Sequence, residues 1–168
     1  LFETEIEQQL RGVEVVAYAL IIGALFLFWA EKYIQKANKK TEELKQISWQ
    51  QTLVVGVSQV LALVPGVSRS GATITGGLFA KIDRKTAVRF SFLAGLPAIL
   101  GAGFWELIKL VKSGGFGGDV INISGGFVSA YVAGIFSLKL LLWLANKANF
   151  NIFVIYRIVL GIVLLVIF

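Results

Sequence analysis

The stretch Pro65-Gly66-Val67-Ser68-Arg69-Ser70-Gly71-Ala72-Thr73 sets hydroxyls and one guanidinium between two apolar runs. Arg69 is the strongest single signal. An arginine at membrane depth costs about 2.5–3.5 kcal/mol even on insertion scales, so it is functional by default. Its planar fork grips phosphate oxygens in pairs. The structural alternative is an ion pair with a carboxylate on another span, for instance Glu106. Ser68, Ser70 and Thr73 surround the arginine. A helix starting here presents backbone N–H groups without intrahelical partners and a dipole that favours an anion. Gly71 lets a ligand approach the backbone; Pro65 and Gly66 end the preceding helix. The turn reads as an anion cradle, and the plain alternative for any one serine is helix capping. Gln59, one to two turns earlier, either bonds a ligand or glues two helices.

Other polar residues read more plainly. Arg89 is a snorkelling interface anchor, and Tyr156 with Arg157 is an anchor at the opening of the last span. Glu106, beside Trp105, is an interfacial charge or the partner of Arg69. Glu3 and Glu7 are four apart but belong to a polar, solvated start. No Walker loop, HExxH or GxSxG element is present. With no cysteine and no histidine, disulfide scaffolds, zinc sites, Cys–His nucleophiles and an imidazole base are excluded.

The elements that must position the turn follow from composition. Of 168 residues, 57% are apolar and 15% charged, against about 45–50% and about 25% in soluble domains; mean hydropathy is +0.78. The chain reads as an all-α polytopic integral membrane protein, not a disordered one. The net charge of +6 does not indicate a nucleic-acid partner. The cations cluster between apolar spans (Lys32, Lys36, Lys39, Lys40 and Lys45, then Lys81, Arg84, Lys85 and Arg89) as cytoplasmic loops do.

A helix needs about 20 apolar residues to cross a bilayer. Spans are predicted over 13–30, 87–111, 124–145 and 153–168, with a cytoplasmic linker at 31–48, in one membrane domain. Residues 49–80 do not fit one span: the apolar piece before Pro65 reaches only about 24 Å as a helix. Two short helices meeting at a polar turn predict a re-entrant hairpin, tolerated at depth only when buried in protein or lining a wet cavity. Small residues four apart (Gly125, Ser129, Ala133 and Ser137, beside Gly126, Ala130 and Gly134) predict close helix packing of the third span. The chain starts at Leu1 without a methionine, which is expected of a fragment or a processed chain.

The stretch from Gln59 to Thr73 resembles the signature P-G-x-S-R-S-G-x-T of the bacterial undecaprenyl-diphosphatase (bacitracin-resistance) family. Phe90-Ser91-Phe92-Leu93 with Pro97, and Tyr156-Arg157 before Gly161, resemble the family too. The resemblance implies an inverted repeat in the bacterial plasma membrane, each half a re-entrant hairpin followed by three spanning helices. This chain would hold the last span of the first half and then the second half: four spanning helices and one re-entrant hairpin. The implied activity removes the terminal phosphate of undecaprenyl diphosphate, a polyprenyl diphosphate lipid, recycling the carrier for cell-wall synthesis. By position Ser68, Arg69 and Thr73 match catalytic residues, with Gly66, Ser70, Gly71 and Gln59 in the phosphate-binding surroundings. A divalent cation, Mg²⁺ or Ca²⁺, is expected from the resemblance. Ser68 is the local nucleophile, or a metal-held water attacks instead. The family's first half supplies glutamates and a histidine that this chain does not carry. The missing N-terminal half is therefore an expected partner, weak or no turnover is expected from the chain alone, and a homo-oligomer is compatible. The rival readings are a transporter or flippase of an anionic lipid built on the same broken helices, and an inactive fragment.

Overall fold

The computed structural model describes residues 12–113, 120–147 and 149–168. Glu3 and Glu7 lie outside these, as does most of the glycine-rich loop after Lys112. Among the described residues there is no strand, only an isolated bridge between Thr41 and Ile82. The helices are α1 (Val13–Lys36), α2 (Trp49–Val60), α3 (Arg69–Phe79), α4 (Arg84–Lys112), α5 (Val120–Lys147) and α6 (Asn151–Ile167), with short 3₁₀ turns at Leu44–Gln46 and Leu61–Leu63. α1, α4 and α5 are long and apolar enough to cross a membrane; α6 is apolar but shorter.

α1 turns a stripe of small and branched residues inward, Ala17, Ala24, Leu27, Ala30 and Ile34. Its large residues Tyr18, Ile22, Phe26 and Trp29 face outward. In lipid, small residues at a contact let backbones approach. The α1–α6 contact shows this at Gly161, where a Cβ would lie 2.9 Å from the Ala17 carbonyl oxygen and 2.7 Å from Ile21.

α2 begins with a capping box: the Ser48 hydroxyl accepts from the Gln51 N–H while the Gln51 side chain accepts from the Ser48 N–H, which satisfies two orphan donors at once. Gln51 also anchors the far end of α3, donating to the Ala80 carbonyl at 2.8 Å and to Thr41 Oγ1 at 3.0 Å. The linker after α1 is pinned to the same place: the Thr41 N–H donates to the Lys81 carbonyl and the Asp83 N–H to the Thr41 carbonyl, each at 2.9 Å. Glu31 on α1, only 1% exposed, pairs with Arg84 and accepts from Gln35, so α1, the linker and the start of α4 close into one end of the structure.

α1 serves as a ruler for the α2–α3 hairpin. At one end the Phe79 ring sits 5.9 Å from Tyr33. At the other, Gly66 lies against Val16 and Ala19. At 1.5 Å per residue the turn is about 21–25 Å along α1 from the lysine-rich end.

The expected close packing of the third span is not made among the described residues. Residues 120–137 are exposed throughout, and Cβ atoms built at Gly125, Gly126 or Gly134 would meet nothing within 4 Å. The physical reason is that α5 joins the core through its last turns, where Ala145 is buried and Leu141 and Leu142 pack beside it, while its small-residue rows have no facing helix among the described residues.

Candidate active site

Two residues with positive φ reverse the chain after the Leu61–Leu63 turn: Gly66 at φ +92° and Ser68 at φ +67°. For a residue other than glycine that region is strained, and such strain clusters at functional sites. The strain places Ser68 as the N-cap of α3, its hydroxyl accepting from the Gly71 N–H at 3.3 Å. Ser68 is nonetheless exposed, so capping leaves its hydroxyl reachable.

Gly66 is required for two reasons. Its φ favours glycine, and a Cβ would lie 2.5 Å from the Val16 carbonyl oxygen. Gly66→Ala is expected to cost about 2–3 kcal/mol, read as a lowered unfolding temperature in detergent; an unchanged midpoint would refute this account of the turn.

Ser68, Ser70 and Gly71 come together on a cavity of about 260 Å³ shared with Tyr156, Arg157 and Phe153. Thr73 turns away from it. It is 1% exposed, its Oγ1 donates to the Arg69 carbonyl at 2.9 Å, and it meets the hydroxyl of Ser91 on α4, also 1% exposed. Since a hydroxyl has one proton, Ser91 is the donor in that pair when Thr73 donates to the backbone. Gln59 lies in the last turn of α2, with Oε1 buried and without a bonding partner among the described residues.

Arg69 points to α4, where Gly95 leaves the room its guanidinium fills; a Cβ there would overlap it. Its Nη1 is buried and has no partner among the described residues. The alternative pairing with Glu106 is not made: Glu106 is exposed and bonds Lys109 at 2.8 Å. The Arg69 charge is therefore left for a ligand.

Arg157 corrects the sequence reading. It is not an interface anchor but is buried, 6% exposed. Nη2 donates to the carbonyls of Gly66 at 3.1 Å and Val67 at 2.7 Å, and Nη1 lies beside Gly71, 2.8 Å from where a Cβ would sit. Gly23 on α1 makes the rest of the space. The signal was available in the sequence: an arginine inside an apolar run of helix-forming length with no acid nearby, the argument already applied to Arg69. Ser91 carried no comparable signal, because a serine near a span end is common.

The turn thus offers the first N–H groups of α3, serine hydroxyls and the Arg157 guanidinium from α6, with the Arg69 guanidinium beside it, directed towards α4. Among the described residues it has no carboxylate. Mg²⁺ and Ca²⁺ are held chiefly by carboxylate and other hard oxygens, and no group of three or more Asp, Glu, His or Cys gathers among the described residues. This donor set does not fit a divalent cation on its own. Beside the turn an apolar groove of about 640 Å³ runs along α1, lined by Tyr18, Ile22, Phe26 and Phe79, with Arg157 and Gly71 at its polar end.

Fold and site together define an α-helical integral membrane protein with a cationic, hydroxyl-lined turn between two short helices. The chain belongs to the family described as "Bacitracin resistance protein BacA", whose family model matches residues 1–163. It is similar to proteins named undecaprenyl-diphosphatase. One from Methanococcus aeolicus is 40% identical over 164 residues, covering 98% of this chain and 64% of the relative. One from Acinetobacter baumannii is 42% identical over 155 residues, covering 90% and 55%. One from Chloroherpeton thalassium is 40% identical over 169 residues, covering 98% and 60%. The chain thus spans 55–64% of the length of these relatives.

Proposed function

We propose that the chain supplies the phosphate-gripping part of an enzyme that hydrolyses undecaprenyl diphosphate, the reaction for which its relatives are named. The observation that carries this reading is Arg69 at the start of α3, whose Nη1 is buried and unbonded among the described residues. In this reading α1, α4, α5 and α6 span the bilayer and the α2–α3 hairpin is re-entrant. The terminal phosphate sits at the α3 N-terminus between Arg69 and the Ser68 and Ser70 hydroxyls. The prenyl tail lies in the apolar groove beside α1.

Hydrolysis breaks the bond between the terminal phosphorus and the bridging oxygen, adds water, and leaves inorganic phosphate and the lipid monophosphate. Phosphoryl transfer depends mainly on positioning and charge stabilisation. Arg69 and the α3 N–H groups hold the charge on the transferring group. Ser68 is the hydroxyl that attacks: its proton passes to the base as the bridging oxygen leaves with the lipid monophosphate, and water then cleaves the phosphoserine to release inorganic phosphate. Thr73 with Ser91 holds α3 against α4. The base, and the carboxylates for the expected divalent cation, belong to the part of the relatives outside the match. That part is the chain's partner in this proposal.

The test is release of inorganic phosphate from a long-chain polyprenyl diphosphate in detergent, with Mg²⁺ or Ca²⁺ and with a chelator. The chain is assayed alone and joined to the upstream segment of the Methanococcus relative. Release by the joined protein, reduced or lost in the chain alone, is the expected result. Silence from the joined protein under every cation condition overturns the proposal.

A further inference from the structure

At the end of α1 far from the turn lies a second cavity, of about 580 Å³, framed by Tyr33, Lys36, Ala37, Asn38, Lys39 and Lys81. Among the described residues no carboxylate lines it. Of the nearby acids, Glu31 pairs with Arg84 and Glu43 with Lys45, Asp83 caps α4 at the Lys85 N–H, and Glu42 is exposed in the linker. Lys36, Lys39 and Lys81 make no ion pair among the described residues. The helices α1 and α3 both end here, and their C-terminal dipoles attract cations. Each dipole end is worth about half a charge, and residues 31–45 and 81–89 carry nine cations against four acids, a net charge of +5.

The cavity is also built rather than incidental. Lys81 is held at φ +61°, a conformation disfavoured outside glycine. The Thr41 bridges to Lys81 and Asp83 and the Gln51 bonds to Ala80 and Thr41 fix the linker against it. Tyr33, which lines it, is held 5.9 Å from the Phe79 ring, and one to two turns earlier on α1 Trp29 and Phe26 stand exposed in an edge-to-face pair. Aromatic residues under a ring of lysines are the arrangement found at the headgroup level of a bilayer.

We infer that this cavity binds the phosphodiester headgroup of an anionic phospholipid from the leaflet on the lysine-rich side. Lys36, Lys39 and Lys81 neutralise the phosphate, Asn38 and the Tyr33 hydroxyl donate to its ester oxygens, and the acyl chains lie on Trp29 and Phe26. Basic pockets between membrane helices recognise lipid headgroups by the same electrostatics. The site is independent of the hydrolytic reading.

The experiment places the full chain in nanodiscs of phosphatidylcholine with and without phosphatidylglycerol and counts retained lipids by native mass spectrometry. Retained phosphatidylglycerol is expected for the unaltered chain. Its affinity is expected to fall about fivefold per lysine removed, roughly a hundredfold in the Lys36→Gln/Lys39→Gln/Lys81→Gln variant. Lys39→Gln alone, in the exposed linker, keeps the measurement usable should the triple variant fold poorly. The control variant Lys109→Gln/Lys112→Gln/Lys139→Gln removes equal charge elsewhere and is expected to keep the lipid. An equal loss in the control, no preference for phosphatidylglycerol, or displacement by inorganic phosphate as effective as by the lipid would each overturn the proposal.

Discussion

Arg69→Ala is expected to lower phosphate release by a factor of about 10³ or more, with the protein still folded. Removing one preorganised donor from a developing oxyanion costs about 10²–10³, and an arginine on a transferring phosphoryl group is worth about 10³–10⁵. The loss should appear in kcat as well as in KM, because the charge gripped is greatest in the transition state. Stability should hold or rise slightly. Arg69 makes no hydrogen bond or ion pair among the described residues, so nothing internal is broken, and a partly buried charge with an unpaired Nη1 is removed. The measurement is a kinetic comparison in the joined protein beside a thermal melt. Unchanged kcat with a normal melt would sink the assignment of Arg69 to the phosphate.

Arg157→Leu should behave differently, losing stability and turnover together. Its guanidinium holds the two carbonyls that bracket the chain reversal, Gly66 and Val67. A hydrogen bond to a charged group contributes about 1.5–3 kcal/mol, and leaving buried acceptors unpaired adds a penalty. A loss of about 3–5 kcal/mol is expected, seen as an earlier unfolding midpoint in detergent. Arg157→Lys should fall between, since one ammonium cannot span both carbonyls while filling the space left by Gly23 and Gly71. A variant that melts normally would show that the turn does not depend on this clamp. The pair of outcomes separates a residue that grips the ligand from one that shapes the turn.

Much of this was legible in the sequence, for identifiable reasons. Apolar runs bounded by cations gave the membrane class, and the Pro65–Thr73 stretch marked the break between the short helices because proline, glycine and polar residues there oppose a continuous span. Arg69 stood out because its desolvation is costly wherever it sits. Less was visible where the answer depended on which helices meet. Thr73 looked like a cavity hydroxyl, yet its direction is set by Ser91, eighteen residues away on α4. Arg157 looked like an anchor because a position near a span end is normally wet; only the packing of α6 on α1 and the turn shows it dry. The small residues of α5 looked like a helix contact, but small-residue spacing does not say which partner fills the row.

One consequence follows from the reach of the Arg157 clamp. Its two carbonyl partners, on Gly66 and Val67, lie 91 and 90 residues earlier in the chain. Synthesis runs from the N-terminus, so the short helices on either side of the turn are made long before the guanidinium that holds them. The turn takes its final shape only once α6 has packed against α1, which makes the site one of the last parts of the chain to form.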